Sequence, residues 1–273
     1  MNLSNKNIIH KSNNGVEYIQ FKRLLEFPEV KHAYIIGLDK SFKIYNDDEH
    51  IKENELAKKS YEIICKELNI NYNSLINTMQ NHTDNIKIIK NKVNKDKPDF
   101  NIYEETDGLI TNKKSLSLST INADCILLVF YDPVNKVIAN VHSGWRGTTK
   151  RISTKTIEKM KKEYGSNPED IICCMSPSIG KDHFEVDEDV YNIFKQEFKD
   201  IIQTKKIYEQ KNNKWYIDTI LINRLILKNK GLKEENIIDS GICSVCNKEM
   251  IHSYRAHGKN AGRNTLIISM SNK

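Results

Sequence analysis

The chain has 273 residues, 38% hydrophobic and 29% charged, with 42 basic and 36 acidic side chains and a net charge of +6. That is enough chain to bury a sizeable core, and the proportions are those of a globular protein in water. They exclude a membrane-spanning protein, because no apolar run approaches the roughly 18 residues a span needs.

The first residues, MNLSNKNIIHKSNNGVEY, lack the apolar core of a signal peptide, which points to the cytoplasm. With 5 Pro and 11 Gly, no repeat and no low-complexity tract, one domain over 1–273 is expected. Strands are predicted at VEYIQF and KHAYIIG, then a helix over about Glu53 to Leu68 that carries Cys65 on one face. NIKIIK follows as a strand, and the run KIIKNKVNKDK around it reads as a solvated strand and turn. Basic residues scattered in this way, without interleaved aromatics, argue against nucleic-acid binding.

ILLVFYD and KVIANVH are the next strands, and a second helix is predicted from about Thr149 to Tyr164, stopped by Gly165 and Pro168. DIICCM is an apolar strand in which Cys173 and Cys174 read as small core residues. Asp187 caps a third helix with Val190, Phe194 and Phe198 on one face. A fourth, DTILINRLILKNKG, runs from Asp218 to before Gly231 and is apolar almost all round, so deep burial is expected. NIIDSGIC, MIHSYR and NTLIISM close the chain as strands. Hairpins mixed with αβ connections predict an α+β fold of mixed β-sheets with flanking helices.

Six cysteines in a chain expected in the cytoplasm should be reduced. Cys243-Ser-Val-Cys246 has the spacing of half a structural zinc site or of a redox pair, but no second Cys-x-x-Cys accompanies it.

The stretch NADCILLVFYDPVNKVIANVHSGWRG, from Asn122 to Gly147, is the most informative. Asp132-Pro133-Val134-Asn135 supplies turn chemistry between two strands. A two-residue turn at Pro133 and Val134 places Asp132 opposite Asn135 and, counted back along both strands, Cys125 opposite His142. Opposed residues share a face. A Cys and a His in contact support an activated thiol nucleophile or a metal site, and a buried Cys beside a structural His is the plain alternative. HSGWRGTT then offers two glycines, Arg146, and a helix start at about Thr148 or Thr149, an arrangement suited to phosphate.

NADC, HSGWRG, SPSIGKDHFEVDEDV and SYRAHGKNAGR, in that order, resemble the signatures of the YfiH/laccase-domain family, over about Gln80 to Arg263. These proteins were once described as polyphenol oxidases and later as purine nucleoside phosphorylases with adenosine deaminase activity. The resemblance implies the YfiH-like fold and matches the family's upstream Gln-x-His element to Gln80 and His82. It thereby implies a metal site of His82, Cys125 and His142 holding Zn2+, or alternatively Cu2+, with a fourth position open.

The implied substrates are phosphate and the purine nucleosides adenosine, inosine, guanosine and methylthioadenosine. Arg146, Arg255 and Arg263 become candidate phosphate holders. Asp124 and Glu185 become candidate proton donors to the leaving amine. The sequence departs from the family at Ala256, where a second arginine is usual, at Thr83, where glycine is usual, and at Ser143, where alanine is common. His10, His32, His50, His183, His252 and His257 are expected to be surface or structural, with His183 and His257 the first exceptions to consider. Two other enzymatic readings stand beside the leading one: a Cys-His hydrolase or deamidase with Cys125 as nucleophile, and a copper-dependent phenol oxidase. The latter ranks low because 8 histidines are spread along the chain. A binding module that keeps the fold and uses the cleft for a partner is a further alternative, and a monomer is the default.

Overall fold

In the computed structural model, residues 2–44, 55–90, 101–114, 116–202 and 206–271 are described. Among them two mixed sheets carry most of the strands. The larger has seven strands in the order Ile8–Asn13, Val16–Phe21, Val30–Ile36, Asn264–Met270, Ser117–Asn122, Leu75–Thr78 and Asn101–Tyr103. Its first five strands are antiparallel and the last two join in parallel. The six-stranded sheet runs Ile237–Asp239, Ile172–Met175, Ile126–Asp132, Val137–Ser143, Gly108–Thr111 and Ile86–Ile88. It is antiparallel in the middle and parallel at both edges.

Side-chain alternation explains how these sheets stack. Leu127, Val129 and Tyr131 point one way and join Phe21, Tyr34, Leu118, Leu266 and Ile268 of the larger sheet in a common core. Ile126, Leu128 and Phe130 point the other way, onto Ile152, Ile157 and Met160 of the helix Ile152–Tyr164. On the far side of the larger sheet, Tyr18, Ile35 and Ile267 pack against Ala57, Tyr61 and Ile64 of the helix Glu55–Glu67. The order of layers is therefore helix, sheet, sheet, helix, and the run Ile126–Tyr131 is apolar throughout because it is covered on both faces. Asn140 bonds across the two sheets: it accepts from the Thr120 hydroxyl at 2.5 Å and donates to the Leu118 and Leu266 carbonyls.

The α+β reading holds, with several local corrections. The first predicted helix is present over Glu55–Glu67, and its proposed beginning at Glu53 lies outside the described residues, as does His50. The second is two helices, Trp145–Thr149 and Ile152–Tyr164, broken where Arg151 adopts a left-handed φ of 55°. Gly165 ends it as expected, at φ 72°. Asp187 occupies the N-cap of Glu188–Glu197 without a capping bond, because its carboxylate pairs with Lys214. Asp218 does cap the helix Thr219–Asn229, accepting from Leu221 N at 2.8 Å. That helix is nearly encircled by apolar contacts because it sits between two clusters, with Leu227 in one and Ile222 and Ile226 in the other. MIHSYR is not a strand: Ser253 accepts from Ala256 N and starts the short helix Tyr254–His257. Several short strands, Leu75–Thr78, Gly108–Thr111 and Ser117–Asn122 among them, carry no alternation that marks them in advance, since every residue in them is buried. No helix among the described residues is long and apolar enough to cross a membrane.

His32 is structural, as expected. It is fully buried, with Nε2 accepting from Phe21 N at 2.8 Å. Burial, with a smaller contribution from Lys11, pushes its pKa down from 6.5 to about 3. The folded protein therefore takes up this proton later than the unfolded chain as pH falls. Its contribution is intact above pH 6.5 and is lost on acidification toward pH 3 at about 1.4 kcal/mol per pH unit. Urea melts between pH 6 and 4 should show a steeper loss of stability for the native chain than for His32→Gln, and parallel slopes would refute this.

Candidate metal centre

The site forms where the chain passes from the larger sheet to the smaller. Three connections do so at this end: residues 79–85, between Leu75–Thr78 and Ile86–Ile88; residues 104–107, between Asn101–Tyr103 and Gly108–Thr111; and residues 123–125, between Ser117–Asn122 and Ile126–Asp132. They carry His82, Asp107 and Cys125. His142 comes from the end of the strand Val137–Ser143, which pairs beside Ile126–Asp132.

The hairpin register differs from the one expected. Asp132 faces Val137, His142 faces Leu127, and Ser143 faces Ile126. The loop is four residues long because the Asp132 carboxylate accepts from Val134 N and Asn135 N, and Lys136 takes a left-handed φ of 52°. The shift is two residues. An even shift leaves every side chain on its face, so Cys125 and His142 still point to the same side, but Cys125 stands diagonal to His142 and level with Gly144.

His82, Cys125 and His142 converge, with their donor atoms all within 4.8 Å of one another. Cys125 Sγ lies 3.9 Å from His82 Nε2, and the two imidazoles meet edge to face with centroids 5.0 Å apart. His142 Nδ1 bonds Asp107 Oδ1 at 2.8 Å, which leaves Nε2 as its ligand atom. Asp107 is completely buried, and its other carboxylate oxygen accepts from both Thr83 N and the Thr83 hydroxyl. Gln80 pins the same segment from its other end. Its amide donates to Ile121 O at 2.7 Å and accepts from Ile121 N at 2.8 Å. Between these anchors His82 is held at φ 56°, and Asp124, beside Cys125, at φ 89°. Such left-handed conformations cost non-glycine residues energy that the surrounding bonds must offset.

Gly144 shows that the space among the three side chains is built. A Cβ there would stand 2.8 Å from His82 Cδ2, 3.2 Å from Cys125 Sγ and 3.3 Å from His142 Cε1. The electrostatics agree. Burial by itself raises the Cys125 thiol, but the two facing imidazoles override it and hold the thiol down to about 6. Burial lowers His142, and the Cys125 thiolate and Asp107 carboxylate override that, raising it to about 9. One thiolate and two imidazoles suit a borderline cation such as zinc, and also copper. In a tetrahedral zinc site the donor atoms sit roughly 3.3–3.6 Å apart, and Cys125 Sγ and His82 Nε2, at 3.9 Å, stand close to that spacing.

The centre opens into a cavity of about 840 Å³, within the range of small-molecule sites. Met79, Trp145, Ile179, Phe184 and Tyr254 give it apolar walls, and Lys43, Arg255 and Arg263 line it with positive charge. The Arg255 guanidinium is oriented by the carbonyls of His183 and Glu185, at 2.7 and 2.9 Å, and that of Arg263 by those of Ala261 and Gly262. Arg146, the arginine favoured from its loop, is not in the cavity wall. It is exposed and stacks 4.3 Å over the Trp145 ring, because the helix begins at Trp145 rather than at Thr148 and carries the side chain outward. Glu185 is also outside the wall, accepting from the Tyr216 hydroxyl. Asp124 reaches the wall, but its carboxylate accepts from the Ser244 hydroxyl and from Arg255 N, each at 2.6 Å.

Asp107 escaped the sequence reading, since Asp107-Gly108 looks like any turn. Its only signal is Thr83, the departure from the family pattern that supplies two of its bonds. The other departures are accommodated locally, Ser143 by Thr148 at 3.0 Å and Ala256 by the Ser253 cap.

Comparison with known proteins gives a consistent picture. The family model described as multi-copper polyphenol oxidoreductase laccase matches residues 33–271. Purine nucleoside phosphorylase YlmD of Bacillus subtilis is 29% identical over 234 residues, covering 85% of this chain and 84% of that protein. Adenosine deaminase RL5, from an unknown prokaryotic organism, is 29% identical over 206 residues, covering 73% of this chain and 76% of that protein. The crystal structure of Bacillus licheniformis hypothetical protein YfiH superposes with a TM-score of 0.80 at 22% identity, over 95% of this chain and 100% of that one, and so shares the fold.

Proposed function

The chain belongs to the multi-copper polyphenol oxidoreductase laccase family, and from that premise we propose that it is a metal-dependent purine nucleoside phosphorylase with adenosine deaminase activity. The observation that carries this reading is the Cys125, His82 and His142 triangle at the floor of a cavity with apolar walls and two oriented guanidinium groups. Relatives named for both activities support it.

An ion held by His82 Nε2, Cys125 Sγ and His142 Nε2 would supply Lewis acidity at its open position. The remaining work falls to the chain. Asp107 holds the His142 ring so that Nε2 faces the cavity. Phe184, Trp145 and Ile179 offer surfaces for a purine, and Arg255 and Arg263, with Lys43, offer positive charge for phosphate. In phosphorolysis a phosphate oxygen forms a bond to ribose C1′ as the bond from C1′ to the purine nitrogen breaks. Guanidinium groups already oriented by carbonyls align that oxygen at little entropic cost. In deamination water adds at C6 of adenosine and ammonia leaves. Asp124, with both carboxylate oxygens engaged, contributes by positioning Arg255 through its backbone N–H. The substrates we assign are adenosine, inosine, guanosine and methylthioadenosine.

Incubation with adenosine separates the two activities. Adenine and ribose 1-phosphate should form only when phosphate is present, and inosine should form without it. Neither product at any metal loading would refute the reading.

One observation favours a second reading. Cys125, His142 and Asp107 also have the order of a thiol, a base and an orienting carboxylate, and the thiol is held low. A Cys125 hydrolase or deamidase would keep its activity after chelation, whereas the enzyme proposed here would lose it and regain it with zinc. Copper-dependent phenol oxidation ranks below both, because the centre offers one cysteine and two histidines, a ligand set for a single ion.

A further inference from the structure

We propose that His183, Cys243 and Cys246 form a second metal site, a zinc clamp that ties the cavity-wall segment carrying Ile179 and Phe184 to the turn Cys243–Cys246. These three residues are brought together by the fold, with donor atoms all within 4.8 Å of one another. His183 Nδ1 is 3.6 Å from Cys243 Sγ and 3.9 Å from Cys246 Sγ. It stands nearly equidistant from the two sulfurs, as a shared ion requires and a disulfide does not. Zinc–sulfur and zinc–nitrogen bonds of about 2.3 and 2.0–2.1 Å imply N···S separations of roughly 3.5 Å, within a few tenths of an ångström of the two found.

The surroundings are organised around the sulfurs. Gly180 N donates to Cys243 Sγ at 3.3 Å, a bond that stabilises a thiolate. A Cβ at Gly180 would meet that sulfur at 3.3 Å, so the close approach depends on glycine. Asn247 bonds the Cys243 carbonyl through its backbone and side-chain amides, closing the turn that returns Cys246 toward Cys243. The two segments already share backbone bonds, Ser178 N to Ile242 O and Ser244 N to Ser178 O. Cys246 is exposed, so solvent can reach the fourth position. Binding exchanges the two thiol protons for two zinc–sulfur bonds, and those protons leave to solvent.

The clamp bears on the cavity because both of its arms bond residues of the wall. Arg255 is held by the carbonyls of His183 and Glu185 on one arm. Ser244, between the two cysteines, bonds Asp124.

The test is metal content of the full chain, loaded with zinc and dialysed. The native protein should hold two zinc ions, Cys246→Ser one, Cys125→Ser one, and the double variant none. Cobalt(II) added to Cys125→Ser should give thiolate charge-transfer absorbance that is lost on adding Cys246→Ser. Because Cys246 is exposed, the metal-free Cys246→Ser protein should melt with metal-free native protein, which separates ligand loss from unfolding. No zinc on Cys125→Ser, an undiminished count in Cys246→Ser, or a Cys243–Cys246 disulfide in the zinc-loaded protein would overturn the proposal. None of these outcomes depends on nucleoside turnover.

Discussion

Cys125→Ala is expected to release one metal equivalent and to reduce both phosphorolysis and deamination by at least ~1,000-fold, while leaving the fold in place. The sulfur is the only thiolate donor of its triangle, and without it two imidazoles remain. If the affinity of a protein zinc site is roughly 10–16 kcal/mol, loss of the charged ligand of three removes on the order of a third of it. The fold should survive because Cys125 lies in the connection between the sheets and is not part of the apolar core. Elemental analysis and nucleoside turnover, measured on the same samples, check the prediction. Activity lost with metal content unchanged would instead favour Cys125 as a covalent nucleophile.

Gly144→Ala should have an effect nearly as large from one methyl group. Its backbone, at φ −65° and ψ 174°, is open to alanine, so the substitution introduces no backbone strain. As an N-cap change from glycine it costs on the order of 1 kcal/mol. The added Cβ falls among all three ligand side chains, nearest to His82 at 2.8 Å. His82 cannot withdraw easily, because Gln80 and Thr83 pin its backbone on either side. The expected result is metal affinity weakened by about 100-fold or more in competition with a chelator, with the metal-free melting temperature shifted by only a few degrees. Affinity equal to that of the native chain would show that the three side chains do not close on a common ion.

How much of this was legible beforehand differs from residue to residue. Ile126–Asp132 could be read directly, because Ile126–Tyr131 is a continuous apolar run long enough for a strand covered on both faces, and Asn264–Met270 from its β-branched Thr265, Ile267 and Ile268. The register between Ile126–Asp132 and Val137–Ser143 could not, because the Asp132 side chain decides the loop length by bonding two backbone amides. The shared face of Cys125 and His142 survived that error only because the displacement was even. Arg146 was misplaced by a similar local effect, a helix that starts three residues early and turns the guanidinium onto Trp145. Cys243-Ser-Val-Cys246 looked incomplete since its third ligand, His183, is sixty residues away in the chain.

The sequence by itself determined the fold class, most of the long elements, the family and the triangle of His82, Cys125 and His142, the first histidine through resemblance alone. Those follow from side-chain periodicity, turn chemistry and motif order, which are properties of neighbouring residues. Only the tertiary structure decided that Asp107 stands behind His142, that Gly144 clears the space among the ligands, that Arg255 and Arg263 reach the cavity while Arg146 does not, and that His183 joins the second pair of cysteines. Each of these depends on where separate crossings between two sheets come to rest, and that position is set by packing across the whole core, which no local pattern encodes.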